Sequence, residues 1–380
     1  MVVSYRYWGV EVFDWSKPGR WCDIPRMSIN QNKWESIQAL RGAAAGMVVI
    51  GHLLLSGGPK PDWMAFIIER VTTPSAHAGV DLFFCISGAV MYLVTRHAQG
   101  GRQAASAFLI RRALRIYPVF WIALLAMMAI NDSQFYSVQT ALAQITLYDF
   151  PPILSVAWTL TMEIRFYLIV GAVLWLSLPG TSARRFPLIA LIICSIVIFG
   201  QLDMIPKDMA TNLTMLEFLG GAAVAALVTR TDRFALTAIL TGLLGFSAAV
   251  VLVWPGGRWV EDVSPYRVLI FGMPSALVLY GSMALERSRR ATPPKWLVRM
   301  GDASYSIYIW HLPVIVLVWT QWPKDHFDLY AYFAVVLATV GAVATVSWHL
   351  IERPAQRLAA PRPLIRSGPS SSENTAASCQ

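Results

Sequence analysis

Ten apolar runs, each about 17–22 residues long and parted by short polar connections, govern what this chain can fold into. They lie near residues 37–57, 79–95, 116–131, 156–178, 186–202, 211–229, 234–254, 266–285, 304–321 and 329–351. A run of that length crosses the hydrocarbon of a bilayer as a helix, and in lipid only helices and closed barrels satisfy every backbone polar group. The expected fold class is therefore all-α, a polytopic membrane helix bundle of about ten transmembrane spans. Composition agrees: 56% of the 380 residues are hydrophobic and 14% charged. The net charge of +9 does not point to nucleic acid, because the basic residues are spread over short connections as orientation signals are. Cys22, Cys85, Cys194 and Cys379 show neither metal-ligand spacing nor a disulfide framework. No internal repeat is evident, which weakens a transporter built from symmetric halves.

Lysine and arginine placement orients the bundle. One set of connections carries Arg96, Arg102, Arg111, Arg112 and Arg115, then Arg184 and Arg185, Arg230 and Arg233, and finally Arg287, Arg289, Arg290, Lys295 and Arg299. The opposite set holds only Lys60, Arg70, Lys207, Arg258, Arg267 and Lys324. The basic side is cytoplasmic by the positive-inside rule, so both termini are expected there, as an even span count also requires. The division expected is a cytoplasmic segment at 1–34, a membrane domain at 35–357 and a disordered cytoplasmic tail at 358–380. The first segment has no apolar run of signal-peptide type, and Met27 is a second candidate start.

Ionisable residues inside spans mark function. Arg41 and His52 sit eleven residues apart in the first run, about 20° apart around a helix and about 16 Å along it. With the N-terminus inside, His52 falls in the outer half, and Glu163 of the fourth span reaches about the same depth. A carboxylate and an imidazole at one level are expected to pair, since each lowers the burial cost of the other. Asp81 lies near the outer end of the second span. On the inner side Arg111, Arg112 and Arg115 share a helix face at the mouth of the third. Guanidinium forks match phosphate oxygens, so this cluster reads either as a dock for a phosphorylated cytoplasmic molecule or as an anchor on lipid phosphates. Arg165, about 200° round from Glu163, reads as a structural pair outside the site. His311 reads equally as packing or function, and His349 as a snorkelling or packing residue.

Six landmarks, in order, resemble the acyltransferase 3 family of integral-membrane O-acyltransferases that modify bacterial cell-surface and exported polysaccharides. They are Leu40-Arg41-Gly42 with His52; Gly79-Val80-Asp81-Leu82-Phe83-Phe84-Cys85-Ile86-Ser87-Gly88; and Arg112-x-x-Arg115 before Ile116-Tyr117-Pro118. Trp158-Thr159-Leu160 with Glu163 and Phe166-Tyr167 follows, then Tyr305-Ser306-Ile307-Tyr308-x-x-His311-x-Pro313, and last Ile351-Glu352-Arg353-Pro354. The resemblance covers roughly 35–357, and departs where Ile164 and Arg165 replace the family's second acidic residue and glutamine.

The resemblance implies an acyl-coenzyme A donor, no metal, a polysaccharide or lipid-linked glycan acceptor, and a place in the bacterial inner membrane. On that footing Arg111, Arg112 and Arg115 would hold the donor phosphates and Arg41 the entrance. His52 would act as base or acyl carrier and Glu163 would orient it. Asp81, Trp158, Tyr167 and His311 are the matching candidates for substrate contact. The alternative is a transporter or flippase for a lipid-linked glycan, using the same arginines on a pyrophosphate.

Overall fold

The computed structural model describes residues 34–58, 60–68, 73–98, 100–130, 138–148, 152–178, 180–252, 266–323, 325 and 327–358. The expectations for Met27, for the first segment and for the tail beyond Leu358 lie outside these residues. Among them every regular element is helical, as the length of the apolar runs requires.

The elements are α1 (Glu35–Leu55), α2 (Asp62–Ile67), α3 (Thr73–Thr95), α4 (Arg102–Ile130), α5 (Val138–Thr146), α6 (Trp158–Leu176) and α7 (Ser182–Gln201). There follow α8 (Met215–Val228), α9 (Ala235–Leu252), α10 (Met273–Arg287), α11 (Lys295–Asp302), α12 (Ser304–Gln321), α13 (Leu329–Ser347) and α14 (Arg353–Leu358). Each of the ten apolar runs forms a helix. Seven spans are long and apolar enough to cross a membrane, and α11 with α12, bent by 69° at Ala303, supplies an eighth if the pair counts as one. The runs at 211–229 and 234–254 yield shorter apolar helices than expected; at 14 residues α8 rises only about 21 Å.

Two boundaries differ from the sequence expectation. The third span starts near residue 102 instead of 116, because Arg111, Arg112 and Arg115 continue the helix and do not precede it. Arginine is a good helix former, and its charge alone is no terminator. The amphipathic α11 lies where the sequence leads one to expect only a connection, since eight residues are too short for a span.

Bare backbone sets how closely the helices approach. A Cβ on Gly88 of α3 would stand 1.8 Å from the Phe218 carbonyl oxygen of α8, and one on Gly221 of α8 1.7 Å from that of Cys85. The same close approach joins α1 to α11, where a Cβ on Gly301 would fall 1.8 Å from the Gln38 oxygen. Small residues at membrane helix contacts gain van der Waals packing where no hydrophobic drive exists. Around these seams a core gathers Phe84, Phe108, Phe120, Met162, Phe166 and Phe218, with Phe166 and Phe218 rings 4.5 Å apart. Exposed Leu125, Leu168, Leu191, Leu244 and Leu350 form the outward apolar surface that suits lipid. The start of α1 is fixed from α10: Glu286 accepts from the backbone N–H groups of Glu35 and Ser36, each at 2.8 Å. A carboxylate at a helix N-terminus satisfies orphan donors and favours the helix dipole.

Candidate functional site

A cavity opens between α1, α3, α4, α6 and α12. Three guanidinium groups line it: Arg41 from α1, and Arg112 and Arg115, which lie i,i+3 on α4. Apolar walls come from Val80, Phe83, Phe84, Val90 and Leu160, and hydroxyls from Ser87, Thr159, Tyr167, Ser304, Tyr305 and Tyr308.

Each polar group is held by a neighbouring element. Arg41 donates Nε to Ser304 Oγ at 3.1 Å, which ties α1 to the first residue of α12. Arg112 lies over the rings of Phe108 and Tyr167, 5.6 Å from each centroid, and its buried Nε has no hydrogen-bond partner among the described residues. Glu163, on α6, accepts from Ser87 Oγ at 2.8 Å and from the Tyr167 hydroxyl one turn later. Both bonds land on Oε1, which leaves Oε2 its acceptor capacity. Tyr305 donates to the Ile116 carbonyl at 2.6 Å, and Tyr308 to that of Val156 at 2.9 Å. Glu352, in the π-helical turn Trp348–Glu352, accepts from Ser306 Oγ at 2.7 Å and fixes the start of α12 from below.

The expected His52–Glu163 pair is not what these helices build. His52 places Nδ1 3.0 Å from the Val48 carbonyl, and its ring lies 5.0 Å from that of His311. Counting residues along α1 and α6 fixes depth but not azimuth. The rotation of α6 turns Glu163 toward Ser87 of α3, one turn from Tyr167. Arg111 is absent from the lining of the cavity, although Arg112 and Arg115 belong to it. Arg165 faces away as expected, with Nε 3.1 Å from Asp208 Oδ2.

Asp81 and Trp158 come together at a second polar cluster, outside the cavity lining. Asp81 is fully buried and takes a bidentate bond from Arg267, Nε to Oδ1 at 2.9 Å and Nη2 to Oδ2 at 3.3 Å. The same guanidinium lies 5.4 Å over the Trp158 ring. Glu217 is buried close by, packed on Gly272, with no hydrogen-bond partner on either oxygen among the described residues. Arg267 and Glu217 were missed in the sequence as site residues, yet both are ionisable groups in or beside apolar runs and carried the signal used for His52. Hydroxyls such as Tyr305 and Tyr308 carried none, since tyrosines near span ends read as interface belts.

A bundle with seven or more helices long and apolar enough to cross a membrane, which turns three guanidinium groups and a single carboxylate onto one cavity, places the chain in the class of polytopic membrane proteins with a charged site between their helices. Residues 34–350 match the family model described as "Acyltransferase domain", and the chain belongs to that family, acyltransferase 3. "Exopolysaccharide production protein ExoZ" of Rhizobium meliloti (strain 1021) is 28% identical over 267 residues, covering 63% of this chain and 77% of ExoZ. BcsY of Komagataeibacter xylinus, provisionally named a membrane-bound transacylase, is 27% identical over 367 residues, 88% of this chain and 86% of BcsY. "O-acetyltransferase OatA" of Staphylococcus aureus (strain NCTC 8325 / PS 47) is 23% identical over 219 residues, 53% of this chain and 36% of OatA. The chain thus spans most of the first two relatives and about a third of OatA. No solved structure matches the chain.

Proposed function

We propose that this chain carries an acyl group, acetyl or succinyl, from cytoplasmic acyl-coenzyme A to a hydroxyl of a cell-surface or exported polysaccharide, in the bacterial inner membrane with both termini cytoplasmic. One observation carries the reading: three guanidinium groups around a cavity in which, among the described residues, Glu163 is the lone carboxylate. Charges inside a membrane protein need a counter-charge, and a donor bearing several phosphates supplies it. Arg112 and Arg115 hold the phosphates, and the unpartnered Arg112 Nε is a donor awaiting an oxygen. Arg41, pinned by Ser304, guides the chain that bears the thioester.

Along α1 the path from Arg41 to His52 climbs about 16 Å. His52 is the base at its far end. Its Nδ1 faces a backbone carbonyl, so the ring carries its hydrogen there and its lone pair on Nε2. That nitrogen takes the proton of the acceptor hydroxyl as the oxygen attacks the thioester carbonyl, and returns it to the departing sulfur. Glu163 belongs to the donor end: it offsets the arginines and orients the Tyr167 hydroxyl. Support for the polysaccharide acceptor comes from the relatives, whose names specify exopolysaccharide production and O-acetylation.

The test is mass spectrometry of the surface glycan from cells with and without the gene, and with His52→Ala. Loss of an ester mass from an otherwise intact glycan, in both the deletion and the variant, is expected. Loss of the whole glycan would favour transport instead.

A further inference from the structure

The first turn of α12 follows the 69° bend after α11 and gives three successive side chains to three different elements. Ser304 Oγ receives Arg41 Nε of α1 at 3.1 Å. Tyr305 donates its hydroxyl at 2.6 Å to the carbonyl of Ile116, the residue after Arg115 on α4. Ser304 and Tyr305 line the cavity, and Ser306 does not. Ser306 donates Oγ at 2.7 Å and its backbone N–H at 3.2 Å to Glu352 Oε2 in the π-helical turn.

Glu352 is 1% exposed, and Gln356 Nε2 donates to its other oxygen at 3.0 Å. Neutral donors hold the carboxylate, and among the described residues no cation stands within ion-pair distance of it. A buried carboxylate is costly without a positive charge nearby. Arg41 and Arg115 supply that charge, since both lie within Coulombic reach of Glu352 across the α12 turn. Geometry and charge are therefore divided: the serines fix the contact, and the arginines balance it. The three guanidinium groups of the cavity face two carboxylates, Glu163 in the lining and Glu352 behind it. With all five ionised, one positive charge is in excess.

We propose that Glu352 is a positioning residue of the donor site: acting through Arg41 and Arg115, its buried charge balances them between turnovers and limits how tightly they hold the donor phosphates, so that coenzyme A leaves after transfer. This rests on the reading of the cavity as an acyl-coenzyme A site. A carboxylate behind the arginines repels each phosphate that the arginines attract. The repulsion grows with the charge of the ligand and vanishes for an uncharged one. The orientation of Arg41 does not depend on it, because Ser304 holds that side chain by a hydrogen bond. The landmark Ile351-Glu352-Arg353-Pro354, far along the chain from the other charged motifs, thereby joins the same site.

The test uses membrane vesicles that contain the native glycan and the full chain, with thiol release followed for three acetyl donors of falling charge. These are acetyl-coenzyme A, its form lacking the ribose phosphate, and acetyl-pantetheine, which has no phosphate. Glu352→Gln keeps an amide oxygen for Ser306 and removes the charge. Its KM for acetyl-coenzyme A is expected to be about fivefold lower than that of wild type, with coenzyme A inhibiting at about fivefold lower concentration. The donor lacking the ribose phosphate is expected to show a smaller fall, about twofold, and acetyl-pantetheine no change. Ser306→Ala removes a hydrogen bond to the carboxylate and keeps its charge, so its KM for each donor is expected within about twofold of wild type. Should the glutamine variant not accumulate in the membrane, Glu352→Met replaces it with the same expectation. A KM for acetyl-coenzyme A unchanged or raised, one shift common to all three donors, or an equal shift in Ser306→Ala would overturn the role of Glu352 and leave the donor site standing. If wild-type vesicles release no thiol from acetyl-coenzyme A, or use acetyl-pantetheine with the same KM, the donor-site reading itself falls and takes this role with it.

Discussion

At the scale of single residues, the cavity sorts its charges by how firmly they are held. Arg41 is tied to Ser304, whereas Arg112 rests on two aromatic faces with Nε unpartnered among the described residues. Arg112→Ala is therefore expected to raise the apparent KM for acyl-coenzyme A about tenfold or more, from the loss of a charge-assisted hydrogen bond. Arg112→Lys should recover only part, because an ammonium has no planar fork; steady-state kinetics with the donor varied reads both. Asp81 and Arg267 behave differently, since each is the other's counter-charge in a fully desolvated place. Asp81→Leu is expected to destabilise the protein by about 3–5 kcal/mol by stranding the guanidinium. Asp81→Leu with Arg267→Met should return most of it, as thermal unfolding in detergent would show. Such pairings are invisible in a sequence: 186 residues separate Asp81 from its partner, and a depth count assigns each only to a level.

At the scale of elements, α1 is positioned at three heights: by Glu286 at its first turn, by the bare contact with α11, and by Ser304. Arg41 and His52 thus inherit their places from packing far along the chain. Gly88→Ala puts a Cβ within 1.8 Å of the Phe218 carbonyl oxygen, whereas one at Gly220 meets nothing within 4 Å. Gly88→Ala is expected to leave little folded protein and Gly220→Ala to accumulate normally, as fluorescence-detected size-exclusion chromatography would report. The existence of the spans was legible because apolar length is a one-dimensional property. The start of α4 and the whole of α11 were not, because an arginine-bearing turn and an eight-residue amphipathic helix fall below any span-length criterion. Azimuth was no more legible than boundaries, which is why Glu163 was expected beside His52 while the helices set it against Ser87 and Tyr167.

At the scale of the whole molecule, the basic connections define an expected sidedness that labelling can check. In a cysteine-free background, Asp203→Cys should react with an impermeant maleimide in intact cells. Ser288→Cys should react only after the membrane is opened. Arg41, Arg112, Arg115, Glu163 and Tyr167, drawn from three separated motifs, share one cavity. Arg41, Arg112, Arg115 and Glu163 could be read in advance because each is a charged group where lipid would tolerate none unpaired, whereas Tyr167 came only with the family motif. The reciprocal approach of Gly88 and Gly221 bears on how such a cavity can work. A contact made of backbone has no rotamers to rearrange, so α3 and α8 form a weld and not a slip plane. A rocking-bundle carrier would have to shear along some other surface, and α3, which lines the cavity, keeps a fixed distance from α8. Side chains of the lining, such as the touching rings of Phe83 and Tyr308, are left to yield.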